Sequence, residues 1–506
     1  MPQTIVVDGR GLTLESVVAV ARHGARVSIP VEVQSRMAVT RAVVDRAADG
    51  SDPVYGINTG FGKLASVRIP ADRLQTLQRN LIVSHASGFG DPLPVEIVRG
   101  LMLLRINVLT MPTSGVRPEV ALGLGEMLNA GIHPVVPEQG SVGASGDLAP
   151  LSHVAQGLLG EGEVDRWDPA SPEGPVRQSA ADALAAAGLT PVILEAKEGL
   201  ALINGTQAHT ATLALAVADA LRLWQWAHAA AALSLEVLKG TPAPFDARLH
   251  AVRPHPGQVA SAALLRDLLA GSEIRESHRS GDPRVQDAYC LRCTPQIMGA
   301  VHDALDHARR VVDVELNSAT DNPLVVGKEI VSGGNFHGQP VALVADFVSI
   351  ALTSLAGLAE RRLERMLNPD LSGGLPAFLA VDPGLESGFM MLQIAAASVV
   401  GECRTLAAPA SIHSVPTDAN QEDVVPMAMT AALKARRMVA NARYVVAAEL
   451  MCGAQGLEYH RPLRSSPAVE RVYERIRTLV PALTGDRSMT ADVERLAAHL
   501  QEENVP

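Results

Sequence analysis

Cysteine is scarce in this sequence, and its few copies do not have the spacing of a disulfide framework. The 506 residues contain four cysteines, too few to crosslink a chain of this length. Cys290 and Cys293 form the one CxxC pair, and no second cysteine pair or spaced histidines accompany it. We interpret the pair as two small apolar residues one turn apart on a helix, and we expect no metal.

Runs of basic residues are also lacking. The net charge of −11 argues against a nucleic-acid-binding face and against a membrane-surface patch. The first residues, MPQTIVVDGRGLTLESV, lack the charged and then apolar layout of a secretory signal. The longest apolar stretch, Val341 to Leu358, contains Asp346, which favours a buried helix over a membrane span. We expect a cytoplasmic protein that binds a small molecule, without nucleic-acid or membrane partners.

Hydrophobic residues make up 47% of the chain, enough for a large core. Three stretches are long, rich in Ala, Leu and Val, and nearly free of Gly and Pro: Gln207 to Lys239, Pro340 to Leu367 and Met427 to Leu457. They predict long buried helices of a bundle, and helices of this kind favour an oligomer. Strand signals are short, at Thr4 to Val7 and Glu329 to Val331. The predicted fold class is mainly α.

Glycine and proline concentrate in the first part of the chain, where they indicate loops between moderate helices. We therefore predict a glycine-rich N-terminal part at residues 1–200 that carries a site. Residues 201–506 are predicted to form the long-helix bundle and the C-terminal part.

The most unusual segment is GSVGASGDLAP at residues 140–150. It is not a phosphate-binding loop of a known kind, because it lacks GK[ST] and the GxGxxG spacing. A plain tight turn is one interpretation. The other is chemical: Gly143 and Gly146 allow a bend that brings the amide nitrogen of Gly146 onto the carbonyl carbon of Ala144. Loss of two waters, one of them from Ser145, would leave an electrophilic methylidene-imidazolone ring.

This loop and six further blocks resemble the histidine, phenylalanine and tyrosine ammonia-lyase family, in family order. The six blocks are YGINTGFG (55–62), SHASG (84–88), GLALINGT (199–206), VQDAYCLRC (285–293), GGNFHG (333–338) and NQED (420–423). The resemblance implies the helical bundle of the fumarase/aspartase superfamily. It also implies a homotetramer with shared active sites and no diffusible cofactor.

The resemblance also assigns roles to matching positions. Ala144, Ser145 and Gly146 would form the 4-methylidene-imidazol-5-one ring (MIO), and Tyr55 would take the β-proton of the substrate. Arg292 would clamp the substrate carboxylate. Glu422 and His85 would contact the substrate side chain. Five further residues would line the site or support the ring: Asn204, Gln286, Tyr289, Phe336 and Gln421.

The residues themselves support some of these roles and leave alternatives open. Gln286, Tyr289 and Arg292 are spaced three apart, which on a helix places them on one face; the alternative is an exposed arginine on an amphipathic helix. Asn420 would equally serve as the N-cap of a following helix. As a general base near neutral pH, Tyr55 needs a pKa below its usual value of about 10.

Two features favour L-histidine as the substrate and urocanate as the product. Family members that act on histidine tend to carry Ser-His, as at Ser84 and His85, and the NQED block. The Glu422 carboxylate can accept a hydrogen bond from an imidazole N–H, whereas a benzene ring would leave it buried without a partner.

Departures from the histidine-specific pattern keep alternatives open. The chain has DAYCLRCTPQ (287–296), NQEDVVPM (420–427), Glu386 and His413, and GNFHGQP (334–340) resembles the tyrosine aminomutase branch. The alternatives are a tyrosine or phenylalanine ammonia-lyase, an aromatic amino acid 2,3-aminomutase, or a catalytically silent helical scaffold. The argininosuccinate and fumarate branch is disfavoured because its signature loop is not visible.

Overall fold

Helices dominate the computed structural model, which describes residues 3–168 and 174–506. Within this part of the chain the helices are α1 Leu14–His23, α2 Val31–Asp49, α3 Leu74–His85, α4 Val95–Leu109, α5 Pro118–Asn129, α6 Leu148–Leu158, α7 Ala180–Ala186, α8 Glu198–Ile203, α9 Gln207–Val237, α10 Ala247–Ala251, α11 Pro256–Leu269, α12 Glu273–Ser277, α13 Tyr289–Arg292, α14 Thr294–Glu315, α15 Gln339–Leu367, α16 Met390–Leu406, α17 Ala428–Glu458, α18 Pro467–Leu479 and α19 Thr490–Glu502. Single 3₁₀ turns occur at Gly62–Leu64, Ala71–Arg73, Ala243–Phe245, Ala377–Leu379 and Asp418–Asn420.

The strands are short and form four small sheets among the described residues. They are β1 Thr4–Val6, β2 Arg26–Ser28, β3 Phe89–Pro92, β4 Ile132–Pro134, β5 Pro137–Gln139, β6 Glu163–Arg166, β7 Val176–Ser179, β8 Leu324–Val326 and β9 Glu329–Val331. Strands β1 and β2 pair in parallel, whereas β3–β5, β4–β6–β7 and β8–β9 are antiparallel. Both predicted strands are confirmed. The others were not predicted from the sequence.

The three long helices are confirmed as α9, α15 and α17, with bounds within two residues of those predicted. All but five residues of α9 are buried, as its lack of a polar face predicts. Helix α15 is long and apolar enough to cross a membrane, but 67% of its most apolar window is buried inside the protein. This burial is typical of a core helix.

The chain forms two compact units, each assembled from three segments. The first contains residues 1–218, 309–346 and 409–433, and the second contains 219–308, 347–408 and 434–506. The division at residue 200 that composition suggested stays a prediction.

In the second unit, ionic and polar contacts join the long helices. The Arg362 guanidinium of α15 pairs with the Glu449 carboxylate of α17, which also accepts a hydrogen bond from Ser234 of α9 at 2.7 Å. All three side chains are buried. The helices also pack closely, since a Cβ on Gly456 of α17 would lie 2.4 Å from the side chain of Val237. The long helices of this unit are thus joined by buried polar contacts and by close packing.

In the first unit, a small apolar cluster supports the loop that contains Tyr55. Ile57 is fully buried against Val43, Val44, Leu74 and Val325. One residue further on, the Asn58 side chain accepts from the amide of Val54 at 2.7 Å and donates to the carbonyl of Asp52 at 3.0 Å. The loop is therefore anchored on both sides of Tyr55 by packing and by hydrogen bonds.

Candidate active site

The glycine-rich loop before α6 has a backbone bent at two glycines. Gly143 has φ +75° and Gly146 has φ +76°, a left-handed region that glycine enters without steric cost. Gly146 also lies against the backbone of Gly205, because a Cβ on Gly146 would be 2.1 Å from the Gly205 carbonyl oxygen. The loop thus depends on glycine for its conformation and for this close approach.

We expect Gly146→Ala to destabilise the protein far more than Gly188→Ala. Gly188 has a similar φ of +70°, but a Cβ there would meet nothing within 4 Å. Both substitutions carry the left-handed cost of about 1–2 kcal/mol, and only Gly146→Ala adds a backbone clash. Thermal unfolding midpoints measure the difference, and equal shifts for the two variants would show that the Gly146–Gly205 approach does not matter.

The buried carboxylate of Asp147 stabilises the end of the same loop. It accepts from the Ser141 hydroxyl at 2.7 Å, from the His209 ring at 2.9 Å and from the amides of Ala208 and His209 at 2.8 and 3.0 Å. The amide of Asp147 donates to the carbonyl of Gly205 at 2.7 Å. These donors outweigh burial and lower the pKa of Asp147. The carboxylate therefore ties the loop to the start of α9.

The Asn204 side chain points at the backbone of Ser145. Its Nδ2 donates to the carbonyl oxygen of Ser145 at 2.8 Å. The backbone of Asn204 is held by Arg105, whose Nη1 donates to the Asn204 carbonyl at 2.9 Å and to Gln207 Oε1 at 2.8 Å. Arg105 is fully buried, and burial lowers its pKa to about 10. A cation thus lies directly behind the residue that contacts Ser145.

Glu422, which lies 277 residues after Ser145 in the sequence, accepts a hydrogen bond from it. The Ser145 hydroxyl donates to Glu422 Oε1, and Oε2 of the same carboxylate accepts from the Thr417 hydroxyl at 2.6 Å. Backbone bonds between Thr417 and Glu422, of 2.8 and 3.3 Å, close the turn that carries the carboxylate. Glu422 is therefore oriented by its own turn toward the serine.

Asn420 lies inside this turn, and its predicted alternative role as an N-cap is wrong. The following helix begins at Ala428, and Asn420 has φ +65°. The pairing of Thr417 with Glu422 forces the residues between them into a tight left-handed turn, which separates them from the helix.

Tyr55 faces this turn from the other side of the site. Its hydroxyl oxygen lies 3.5 Å from the amide of Gly62. Burial raises the pKa of Tyr55 above its usual value, and the carboxylates of Asp418 and Glu422 raise it further, against the opposing effect of the Gly62 amide. The expectation of a lowered pKa is thus wrong for this chain's own groups, because burial disfavours the phenolate and the surrounding charges are negative.

His85 lies at the end of α3, and its ring contacts the preceding serine. The Ser84 hydroxyl donates to the carbonyl of Leu81 at 3.1 Å and lies 3.0 Å from His85 Nδ1. The tautomer of the ring decides which of the two groups donates in this second contact. Burial lowers the pKa of His85, so the ring is neutral near pH 7.

Two cavities of the first unit bring most of the predicted residues together. The first, of about 650 Å³, is lined by Tyr55, His85, Ser145, Asn204 and Glu422. The second, of about 480 Å³, shares Tyr55, Ser145, Asn204 and Glu422 with it and adds Ala144, Phe336 and Gln421. Aliphatic side chains of Leu77, Leu81 and Ile203 line the larger cavity. An aromatic or heteroaromatic side chain fits this mixture of apolar walls and a few polar groups.

Gln286, Tyr289 and Arg292 lie in the second unit, and their predicted common helix face is wrong. Helix α13 is four residues long, and Ala288 before it is extended with ψ 155°, so Gln286 lies outside the helix. Arg292 nevertheless donates to Gln286 Oε1, and its guanidinium lies 5.8 Å from the centre of the Tyr289 ring. Tyr289 is 73% exposed. The three side chains form a cluster through a bent backbone instead of a continuous helix.

Several residues that shape the site were not predicted: Gly62, Arg105, Asp147, His209, Thr417 and Asp418. Asp147 lies inside the block at residues 140–150 and Asp418 lies just before the NQED block, so their carboxylates were visible in the sequence. Arg105 had a weaker signal, as a charged residue within the mostly apolar α4. Among the described residues, no group of three or more His, Cys, Asp or Glu side chains could hold a metal ion.

Comparison with known proteins identifies the class of lyases to which a chain with this fold and this loop belongs. Residues 12–478 match the family described as aromatic amino acid lyase. The chain therefore belongs to the aromatic amino acid lyase family.

Individual relatives are similar over nearly the whole chain. The histidine ammonia-lyase of Deinococcus radiodurans is 51% identical over 493 residues, which cover 97% of this chain and 92% of that protein. The histidine ammonia-lyase of Symbiobacterium thermophilum is 51% identical over 491 residues, with 97% and 95% covered.

Solved structures of relatives have the same fold. A tyrosine aminomutase from Streptomyces globisporus is 42% identical with a TM-score of 0.92, covering 99% of this chain and 97% of that one. A histidine ammonia-lyase from Trypanosoma cruzi is 40% identical with a TM-score of 0.90, covering 99% and 93%. The predicted family and the mainly α fold of the fumarase/aspartase superfamily are confirmed.

Proposed function

We propose that this enzyme is an ammonia-lyase that converts L-histidine to urocanate and ammonia. The observation that carries the substrate is the Glu422 carboxylate, which lines the same cavity as His85 and Ser145. An imidazole ring supplies an N–H donor for such an acceptor. Phenylalanine supplies no donor, so once ring formation has removed the Ser145 hydroxyl, Glu422 Oε1 would lie without a partner at a cost of kilocalories. Histidine ammonia-lyases at 51% identity support the same substrate.

The loop of Ala144, Ser145 and Gly146 fits the proposed MIO ring. The left-handed glycines at 143 and 146 allow the bend, and the Ser145 carbonyl, which would become the ring oxygen, already accepts a hydrogen bond from Asn204 at 2.8 Å. When formed, the ring supplies an electrophile that turns the substrate amino group into a better leaving group. No diffusible cofactor enters this proposal.

The chain's own residues are proposed to remove the proton, stabilise charge and orient the substrate. Tyr55 is the proposed general base for the β-proton of the substrate. Asn204 stabilises negative charge at the Ser145 carbonyl oxygen, because its Nδ2 is aimed at that atom in advance. Glu422 and His85 orient the imidazole. Phe336 and Gln421 line the cavity beside Ala144 and Ser145.

Three further residues keep their proposed roles in binding the substrate. Arg292 is suited to a substrate carboxylate because its fork makes bidentate bonds, with Gln286 and Tyr289 as its neighbours. We propose a cytoplasmic homotetramer in which such residues are shared between subunits, which agrees with the exposure of Tyr289 in the single chain.

The test combines intact mass with product detection on the purified enzyme. We expect the polypeptide to be lighter than its sequence by two water molecules, and we expect incubation with L-histidine to raise the ultraviolet absorbance of an α,β-unsaturated acid with release of ammonia. A deficit without product from histidine would reject histidine and lead to tests of tyrosine and phenylalanine. A β-amino acid product without ammonia would establish an aminomutase. An unchanged mass would reject the ring.

A further inference from the structure

The turn that carries Glu422 is strained, so its shape needs an external support. Asp418, Ala419 and Asn420 have φ of +45°, +51° and +65°. Non-glycine residues adopt this region of backbone space only at a steric cost. The backbone bonds between Thr417 and Glu422 close the turn, and the Glu422 side chain joins it to Ser145, but neither attaches it to the loop that contains Tyr55.

Asp418 makes that attachment. Its Oδ2 accepts from the amide of Lys63 at 3.1 Å. It also lies so close to Gly62 that a Cβ there would be 2.2 Å from Oδ2. Gly62 has φ +52°, so both the space and the conformation at this position call for glycine. The contact therefore depends on Asp418 in the turn and on the glycine at position 62.

The backbone amides of Gly62 and Lys63 also connect Asp418 with Tyr55. The Gly62 amide faces the Tyr55 hydroxyl at 3.5 Å, and the next amide, that of Lys63, is bonded to Asp418. A short chain of contacts thus links Tyr55 to the turn of Glu422, although the two segments are more than 350 residues apart in the sequence.

We propose that Asp418 is a positioning residue that fastens the Glu422-bearing turn to the Tyr55-bearing loop and places a second carboxylate beside both groups. This inference rests on the proposed roles of Tyr55 and Glu422. Asp418 lines both cavities of the site, and its charge bears on Tyr55 together with that of Glu422, opposed by the Gly62 amide.

Two substitutions separate the attachment from the charge. Asp418→Asn keeps a carbonyl oxygen for the Lys63 amide and removes the charge, whereas Asp418→Ala removes both. We expect kcat/KM on L-histidine to fall about tenfold in Asp418→Ala and to recover to within about threefold of the wild-type value in Asp418→Asn. Equal damage in the two variants would overturn the attachment.

The pH dependence tests the charge. A nearby carboxylate disfavours the phenolate, and it therefore raises the pKa of Tyr55. Removing it lowers that pKa, so the rising limb of kcat/KM against pH should move to lower pH in both Asp418 variants. A limb at the wild-type position in both would show that the carboxylate does not act on Tyr55.

Hydrogen exchange tests the attachment without any assay of turnover. Peptides that contain Gly62 and Lys63 should exchange faster in Asp418→Ala than in the wild-type enzyme, and Asp418→Asn should restore most of the protection. Asp49→Asn, at an exposed position near the end of α2, is the matched control and should change nothing there. Unchanged exchange in Asp418→Ala would overturn the attachment even if histidine proved not to be the substrate.

Discussion

Ser145→Ala is expected to abolish turnover while leaving the fold intact. Without the serine hydroxyl, the second water cannot be lost and no methylidene carbon forms, so we expect a decrease in kcat on the order of 10³-fold or more. The Ser145 side chain is partly exposed and its hydroxyl donates only to Glu422, so the thermal midpoint should change little. The measurements are turnover of L-histidine, intact mass and thermal unfolding.

A matched serine substitution controls for this result. Ser35 is an exposed serine that donates to the carbonyl of Val31 within its own helix. Ser35→Ala should keep full turnover and the deficit of two waters. Residual turnover of Ser145→Ala at a level near that of the wild type would mean that the serine does not supply the electrophile, and the proposed mechanism would be rejected.

Glu422→Gln is expected to have the second largest effect, and that effect should depend on the substrate. The substitution keeps the shape of the side chain and replaces a charged acceptor with a neutral one. Hydrogen bonds to charged groups are worth about 1.5–3 kcal/mol, so kcat/KM on L-histidine should fall about 10²-fold. Because the turn is closed mainly by backbone bonds, the thermal midpoint should stay close to that of the wild type.

The pH profile and a control variant distinguish this role from a structural one. The Glu422 charge raises the pKa of Tyr55, so Glu422→Gln should also move the rising limb of kcat/KM to lower pH. Glu126→Gln, at an exposed position on α5, should change neither quantity. Nearly full activity of Glu422→Gln on L-histidine would remove Glu422 from substrate recognition.

The sequence predicted the site best where its chemistry is confined to neighbouring residues. The bend at Gly143 and Gly146 follows from glycine's access to positive φ, and the long helices follow from an apolar pattern that fills whole turns. The prediction failed where a local pattern was extended too far. Gln286 was placed on a helix by its spacing from Arg292. The helix begins only at Tyr289, after the extended Ala288, so Gln286 lies outside it.

Charges at the site were harder to predict, because they depend on which segments meet. The sequence argument required a lowered pKa for Tyr55, and nothing near position 55 indicated that Asp418 and Glu422 would face it. Arg105 lies 99 residues from the carbonyl of Asn204 that it holds. A pattern read along the chain contains no information about such pairs.

The sequence by itself determined the family, the mainly α fold and the bend of the glycine-rich loop, because these follow from short motifs, helical periodicity and glycine's backbone freedom. Only the tertiary structure decided that Asn204 faces the Ser145 carbonyl, that Ser145 donates to Glu422, and that Asp418 reaches Lys63. The physical reason is range. Backbone preferences act over a few residues, whereas a hydrogen bond across hundreds of residues forms only after packing has brought the two segments together.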